Sequence, residues 1–529
     1  MKKKNKTLSC IVALAMSATL LLAGCGGGSS DSSDTGTAGE SEGGATKEEL
    51  HIAISANPPS LDPQSINSNI VGGIGAHVYE SLFAMNENYE PMPVLAESYE
   101  VSDDGMVYTI TLRQGVKFHN GEEMTADDVV ASMNRWMEVS AKANTLIGGS
   151  TFEKVDDYTV NLNVNQPSSD IIMILASPIQ AAAIYPAEVV ESATDEGISE
   201  YIGTGPYRVS EWKQDQYVML EAFEDYQPAE GEGSGLTGEK SAATPTLYFD
   251  VVTDASTRIA GVQSGEYDIS EEIPLDNYEE LSGDTNLTLN VDRGGTLNLF
   301  LNTTEGIMAN QTFRQAILAA LNCDDIMLGA YGNPDLYEIN AGWMDSTDAQ
   351  WGTDAGSEYY NQQDAEKAQE LLEEAGYNNE PVVLVTTQDY PEMYNATLVV
   401  QENLSEAGIN AEVETYDFST FMEHRSDPAQ FDMFITSNSY NMLPIQLSVL
   451  DSGWAGLNAP EVAEGVQAIR SAASEEEASQ AWADLQTFLY EYGAATVLGH
   501  YTGVIAMDSG VQGYEYLRFP LYWNVTASE

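Results

Sequence analysis

Cysteine is nearly absent from this sequence, which has three cysteines in 529 residues. Only Cys323 lies beyond residue 25, and one cysteine cannot close an intrachain disulfide. The folded part must therefore depend on its hydrophobic core, and an apolar content of 43% is that of a globular protein. The length predicts at least two lobes.

Basic residues are also scarce, with 20 Lys and Arg against 83 Asp and Glu and a formal net charge of −63. A surface of this charge repels nucleic acid and anionic lipid headgroups, so we expect neither as a partner. The acidic surface keeps the chain soluble, but long-range attraction of a cationic ligand is screened at ordinary salt. Charge alone does not name the ligand.

Catalytic and metal-binding motifs are missing as well. The five histidines are scattered without an HExxH pattern, whereas a zinc site needs converging ligands. The pattern GxGxxG at 233–238 lies in an acidic, glycine-rich stretch (230–243) that we predict to be a surface loop. It lacks the preceding strand that a phosphate-binding turn requires. The sequence predicts a protein without cofactor or metal that is not an enzyme.

One long apolar run is present, at residues 11–23, after a lysine-rich start. It is too short to span a bilayer and fits a secretory signal. The run ends in Leu-Ala-Gly-Cys25, which resembles the bacterial lipobox; an ordinary signal peptide with a chance cysteine is the alternative. We expect residues 1–24 to be removed and Cys25 to be lipidated. Residues 25–47 form a flexible linker in this interpretation, and the chain is anchored by lipid only, at the outer face of the cytoplasmic membrane.

The periodicity of the remaining chain predicts strands first and alternating helices and strands later. Residues 107–112 and 158–164 alternate as half-buried strands, and Thr125 is positioned to cap a helix between them. In the second half, an amphipathic helix at 364–375 ends at Gly376 and precedes an apolar strand at 382–385. This alternation of helices and strands indicates an α/β fold.

Ordered motifs extend along the first part of the chain: YESLF at 79–83, PVLAESY at 93–99, DDG at 103–105, LRQGVKFHNG at 112–121 and TADDV at 125–129. Others are LDP at 61–63, GTGPY at 203–207, SGEYDI at 264–269, RQAI at 314–317 and LLEEAGY at 371–377. This series resembles the family 5 extracellular solute-binding proteins of ABC importers, the oligopeptide, dipeptide and nickel group. The motif residues themselves are predicted to build turns and core rather than to contact ligand.

The resemblance implies a two-lobed, periplasmic-binding-protein-like α/β fold with the ligand cleft between the lobes. The first lobe would comprise residues 48–80, 200–292 and 500–529, the inserted subdomain 81–199, and the second lobe 293–499. It also implies a monomer whose partners are ABC permease subunits in the membrane and a small-molecule or short-peptide ligand.

Cleft residues are expected from three segments, at 57–59, 292–302 and 437–441, and from two tryptophans. The candidates for ligand contact are Asn57, Pro58, Arg293, Asn298, Trp343, Ser437, Asn438, Tyr440 and Trp454. In peptide-binding members of the family, W-x-x-D-Y-x-x-P supplies an aspartate to the peptide's ammonium group. Aligned on Pro444, this chain has Ser437 at the tryptophan and Tyr440 at the aspartate.

The missing aspartate leaves the ligand class open. Either another acid replaces it and the ligand is a peptide or peptide-like solute, which is our first hypothesis, or the ligand has no free amino terminus. A metal chelate, an oligosaccharide or another metabolite is then the alternative. A secreted hydrolase and a sensor without a permease are the remaining hypotheses from other classes.

Overall fold

Most strands of the fold belong to one large sheet. The computed structural model describes residues 46–194, 197–472 and 474–528. The strands are β1 Glu49–Ile54, β2 Phe83–Met85, β3 Pro91–Pro93, β4 Ala96–Val101, β5 Val107–Leu112, β6 Thr151–Asp156, β7 Thr159–Asn163, β8 Tyr207–Lys213, β9 Tyr217–Ala222, β10 Thr246–Val251, β11 Ile269–Ser270, β12 Leu287–Leu301, β13 Tyr337–Glu338, β14 Val382–Thr387, β15 Ala411–Tyr416, β16 Met433–Ser439, β17 Ala495–Asp508, β18 Glu515–Leu517 and β19 Phe519–Leu521.

The helices are begun or ended by capping residues in several cases. They are α1 Asn69–Val78, α2 Ala126–Val139, α3 Ala141–Ile147, α4 Ile171–Leu175, α5 Ala187–Glu191, α6 Ala255–Ser264, α7 Tyr278–Ser282, α8 Gln311–Ala320, α9 Cys323–Tyr331, α10 Ala365–Ala375, α11 Pro391–Glu406, α12 Phe418–Arg425, α13 Ser452–Ala455, α14 Pro460–Arg470 and α15 Glu475–Tyr492. Thr125 and Asp128 form a capping box at α2. Gly376 ends α10 in the left-handed conformation, as predicted.

The large sheet is mixed and runs in the order β15-β14-β16-β12-β17-β11-β1-β10-β9-β8, with β13 paired to β17. The two longest strands, β12 and β17, pair antiparallel in its middle. On one side β12 pairs with β16. On the other side β17 pairs with β11, and β11 in turn pairs with β1. The fold is the two-lobed α/β arrangement that the sequence predicts, with β12 and β17 linking the two halves of the sheet.

A second sheet, in the order β4-β5-β7-β6, lies in the stretch predicted to be the inserted subdomain. Helix α2 packs on it and buries Trp136 completely. The domain boundaries themselves stay a prediction.

The GTGPY motif shows why glycine is needed at two positions. A Cβ at Gly203 would lie 2.1 Å from the Val78 carbonyl oxygen, and one at Gly205 would lie 2.6 Å from that of His77. Both distances are far below any real contact, so only glycine lets this loop pass the end of α1. The prediction of close approach is confirmed.

The prediction of a surface loop at 230–243 is wrong for residues 235–238 and for Lys240, which are buried. Leu236, Thr237 and Lys240 are buried, and the Leu236 amide donates to the Met85 carbonyl. Lys240 enters the interior because its ammonium group meets the Glu80 carboxylate at 2.8 Å, with both side chains at most 3% exposed. A buried partner of opposite charge thus overrides the polar composition of the segment.

Candidate functional site

A cavity of about 280 Å³ lies where β12 and β17 meet the start of α1 and the C-terminal hairpin formed by β18 and β19. Its walls come from the end of β1, the first turns of α1, the residues after β11, the middle of β12 and β17, the end of β16, and β18–β19. The lining residues are Ile54, Asn69, Ile70, Gly73, Ile74, Tyr89, Phe249, Glu271, Glu272, Asp292, Arg293, Gly294, Ser439, Tyr440, Tyr501, Gly503, Val504, Ile505, Tyr516, Arg518, Phe519, Pro520 and Tyr522. This volume is close to the lower end of the range for small-molecule sites.

Two carboxylates of the cavity are each held by a tyrosine. The Tyr522 hydroxyl donates to Glu271 at 2.6 Å, and the Tyr514 hydroxyl donates to Asp292 at 2.7 Å. The rings of Tyr514 and Tyr522 are 6.2 Å apart, so the two acids face one aromatic cluster. Burial raises the pKa of Glu271 to about 7 and the pKa of Asp292 to about 6.

The raised pKa of Glu271 predicts a pH-dependent effect of Glu271→Gln on stability. Since the folded pKa is about 7 and the ordinary value is 4.5, the native state binds this proton more tightly than the unfolded state. Stability from this group is therefore present at low pH and is lost as pH rises from 4.5 to 7. We expect Glu271→Gln to raise the melting temperature of the unliganded protein more at pH 8 than at pH 5.

The control for this measurement is Glu280→Gln, because Glu280 is an exposed glutamate that does not line the cavity. A difference in melting temperature between Glu271→Gln and the parent chain that stays constant between pH 5 and pH 8 would contradict the prediction.

Arg518 brings positive charge to the same cavity. It lies in the turn between β18 and β19 with a φ of 67°, a conformation that non-glycine residues adopt rarely. Its Nε is buried without a hydrogen-bond partner, and within the described residues its guanidinium forms no ion pair. A guanidinium without an ion-pair partner has donors available for a bound anion.

The second arginine of the cavity is already paired. One nitrogen of Arg293 lies 3.1 Å from Asp345 Oδ1, 3.2 Å from Glu338 and 2.9 Å from the Ser346 hydroxyl. Arg293 therefore has two carboxylates beside it, and its charge is offset before any ligand enters. Beside this group, the hydroxyl of Tyr440 and Nδ1 of His500 are hydrogen-bonded at 2.5 Å.

The structure brings together only some of the residues that the sequence singled out. Arg293 and Tyr440 line the cavity. The remaining candidates, which do not line it, are Asn57, Pro58, Asn298, Trp343, Ser437, Asn438 and Trp454.

Most of these residues have contacts within the protein. Asn298 is buried and donates to Asn438 Oδ1 at 2.9 Å. Trp343 is 2% exposed, and Trp454 packs at 5.2 Å on Phe300 and beneath the Arg425 guanidinium. Asn57 accepts a hydrogen bond from the Asp215 amide. A ligand-binding role for these residues stays a prediction.

Sequence reasoning did not find Arg518, Glu271 or the cavity tyrosines other than Tyr440. The scarcity of basic residues was a usable signal for Arg518, since each of the 20 Lys and Arg in so acidic a chain needs a reason. In the described residues, no group of three His, Cys, Asp or Glu side chains is arranged to hold a metal ion.

A family model decides the affiliation of the chain. Residues 90–450 match the model of bacterial extracellular solute-binding proteins, family 5. The chain belongs to this family. The family is one of solute-binding proteins rather than enzymes, and its members act outside the cytoplasm. No helix in the described residues is long and apolar enough to cross a membrane.

Similar proteins have names that agree with this affiliation. A probable peptide ABC transporter periplasmic-binding protein, y4tO of Sinorhizobium fredii, is 29% identical over 72% of this chain and 73% of its own length. The glutathione-binding protein GsiB of Salmonella paratyphi A is 30% identical over 69% of each chain.

The solved structures confirm the fold. The crystal structure of the ABC transporter substrate-binding protein CtaP from Listeria monocytogenes superposes with a TM-score of 0.78 at 19% sequence identity, covering 92% of this chain and 100% of that one. At this identity the likeness concerns the fold alone. As a family 5 member, the chain binds a solute, and the mixed-charge cavity is its candidate binding site.

Proposed function

We propose that this chain is the substrate-binding lipoprotein of an ABC importer that captures peptides or peptide-like solutes and delivers them to the permease. The relatives named for peptide and glutathione binding support a ligand with peptide character. Glutathione is itself a peptide derivative with free ammonium and carboxylate groups.

The observation that carries the proposal is the unpaired Arg518 guanidinium in a cavity that also contains Glu271 and Asp292. A free peptide is a zwitterion, so its carboxylate matches the arginine and its ammonium group matches an acid. The hydrogen bonds of such charged groups are roughly twice as strong as neutral ones. An uncharged oligosaccharide would leave the Arg518 guanidinium without a counter-charge.

The origin of the cavity walls supports capture by hinge closure. Tyr440 belongs to the segment assigned to the second lobe (293–499), whereas Glu271 and Arg518 belong to the segments assigned to the first (48–80, 200–292 and 500–529). A ligand that contacts both sets stabilises the closed arrangement, because only differential affinity shifts such an equilibrium. The subdomain at 81–199 contributes Tyr89 to the same cavity.

The location proposed for the chain is the outer face of the cytoplasmic membrane. Its basis is the sequence of the leader and of the lipobox-like segment ending at Cys25. Cys25 and most of the 25–47 linker lie outside the described residues. Membrane fractionation tests this part of the proposal. We expect the full-length chain in the membrane fraction and Cys25→Ser in the soluble fraction.

The ligand class is tested by thermal shift of the full-length exported chain against pools of free tripeptides, C-amidated tripeptides, oligosaccharides and nickel–histidine. A ligand at 100 times its dissociation constant adds about 2.7 kcal/mol to the free energy of unfolding. We expect free tripeptides to give the largest rise in melting temperature and C-amidated peptides a smaller one. A shift by oligosaccharides or nickel–histidine alone would overturn the peptide assignment.

A further inference from the structure

A recess of about 10 Å³ adjoins the cavity and shares Tyr89, Tyr440 and Arg518 with it. Its other lining residues are Met173, Pro178, Asp345, Asp348, Asn441 and Met442. The volume is that of one water-sized group. The recess therefore admits the terminal group of a ligand whose body lies in the cavity.

Asp345 has one oxygen in use and one without a partner. Its side chain is 5% exposed. Oδ1 accepts from the Thr347 amide at 2.9 Å, from the Thr347 hydroxyl at 2.8 Å and from Arg293 at 3.1 Å. Oδ2 is buried and accepts no hydrogen bond from any described residue. A buried carboxylate oxygen without a donor is costly, so this oxygen calls for a donor from outside the chain.

The surrounding charges specify what kind of donor fits. Asp345 shares Arg293 with Glu338, so one cation serves two carboxylates. Asp348 adds a third acid, whose pKa burial raises to about 6. Arg518 also borders the recess, but it makes no ion pair with Asp345 in the described structure. The immediate surroundings of Asp345 Oδ2 favour a cationic donor.

The size and polarity of the recess restrict the choice of donor further. Tyr89 and Tyr440 line the recess, and burial raises the pKa of the Tyr89 hydroxyl to about 12, so this hydroxyl is protonated at neutral pH. An ammonium group has the size of a water molecule and three N–H donors, whereas the planar guanidinium is larger. An ammonium group thus matches the volume, the charge and the unused acceptor.

We infer that Asp345 Oδ2 binds the α-ammonium group of the ligand, with the rest of the ligand extending into the main cavity. The inference deepens the proposed function and rests on it. Asp345 then acts as a specificity-determining residue from the loop after β13, and it selects peptides with a free amino terminus over those with a blocked one.

The test compares the parent chain with Asp345→Asn, using free and N-acetylated versions of the same tripeptide pool and isothermal titration. In the parent chain, free peptides are expected to bind roughly 10- to 100-fold more tightly than acetylated ones, because a bond between charged groups is lost on acetylation. In Asp345→Asn this ratio is expected to fall towards one. The ratio compares two ligands on one protein, so a general loss of folded protein does not change it.

Asp354→Asn is the matched control, since Asp354 is an exposed residue of the same loop and lines neither the recess nor the cavity. The control should keep the ratio of the parent chain. A parent-like ratio in Asp345→Asn, with free peptides still bound, would overturn the role of Asp345 and leave the peptide function in place. Failure of both pools to bind the parent chain would overturn the peptide function and this inference with it.

Discussion

Glu80→Ala is expected to lower the free energy of unfolding by roughly 3–5 kcal/mol, because it leaves the Lys240 ammonium group buried without a counter-charge. The two side chains are 1% and 3% exposed and 2.8 Å apart. Glu80 also accepts from the Tyr226 hydroxyl at 2.8 Å and from the Thr204 hydroxyl at 3.0 Å, and these donors lose their acceptor as well. Urea denaturation of the parent chain and of the variant measures the difference.

Two further variants distinguish the charge from the side-chain volume. Adding Lys240→Met to Glu80→Ala should recover part of the loss, since no unpaired charge is then buried. Asp225→Ala breaks the exposed Lys117–Asp225 pair, where the side chains are 40% and 63% exposed, and should cost less than about 1 kcal/mol. An equally small loss for Glu80→Ala would show that Lys240 reaches water in solution.

Arg518→Gln is expected to weaken binding of free tripeptides by roughly 10- to 100-fold, which corresponds to the 1.5–3 kcal/mol of a hydrogen bond to a charged group. The guanidinium lines the cavity, and its Nε has no partner within the described residues. Its loss therefore removes the proposed ligand contact and breaks no ion pair among the described residues. Titration calorimetry with free and C-amidated tripeptides measures the effect.

The amidated peptides supply the internal control for Arg518, because they lack the carboxylate that the arginine is proposed to bind. Their affinity should be the same for Arg518→Gln and for the parent chain. Arg208→Gln is the matched variant, since Arg208 pairs with Glu221 on the exposed edge strand, and it should leave both affinities unchanged. Equal weakening of free and amidated peptides by Arg518→Gln would place the effect elsewhere than at the carboxylate.

The sequence by itself was enough to predict individual strands and helices and to identify the family. Both depend on patterns of residues that lie close together in the chain. The alternation at 107–112 and the capping pattern around 364–376 fix strand and helix through contacts a few residues apart, and the structure has them at those positions. The series of motifs from YESLF to LLEEAGY identified a family 5 solute-binding protein for the same reason. Their glycines and aromatic residues build turns and core.

Most of the lining of the candidate binding site was decided by the tertiary structure. Glu271, Asp292 and Arg518 are far apart in sequence and meet because β17 pairs with both β11 and β12 beneath the C-terminal hairpin. No local pattern marks such residues, since each one is an ordinary charged residue in its own segment. The sequence located Arg293 and Tyr440 on the crossing strand and at the end of β16, but it did not show that Arg293 is already paired.

The glycine-rich stretch at 230–243 is a second feature that the sequence alone did not place correctly. Its composition predicts a solvated loop, because polar residues without partners remain in water. In the fold, Glu80 supplies the partner that lets Lys240 be buried, and that partner comes from a segment distant in sequence. Local composition therefore determined which segments form elements. The pairing of distant charges decided that Lys240 lies inside, and it left Arg518 without an ion pair among the described residues.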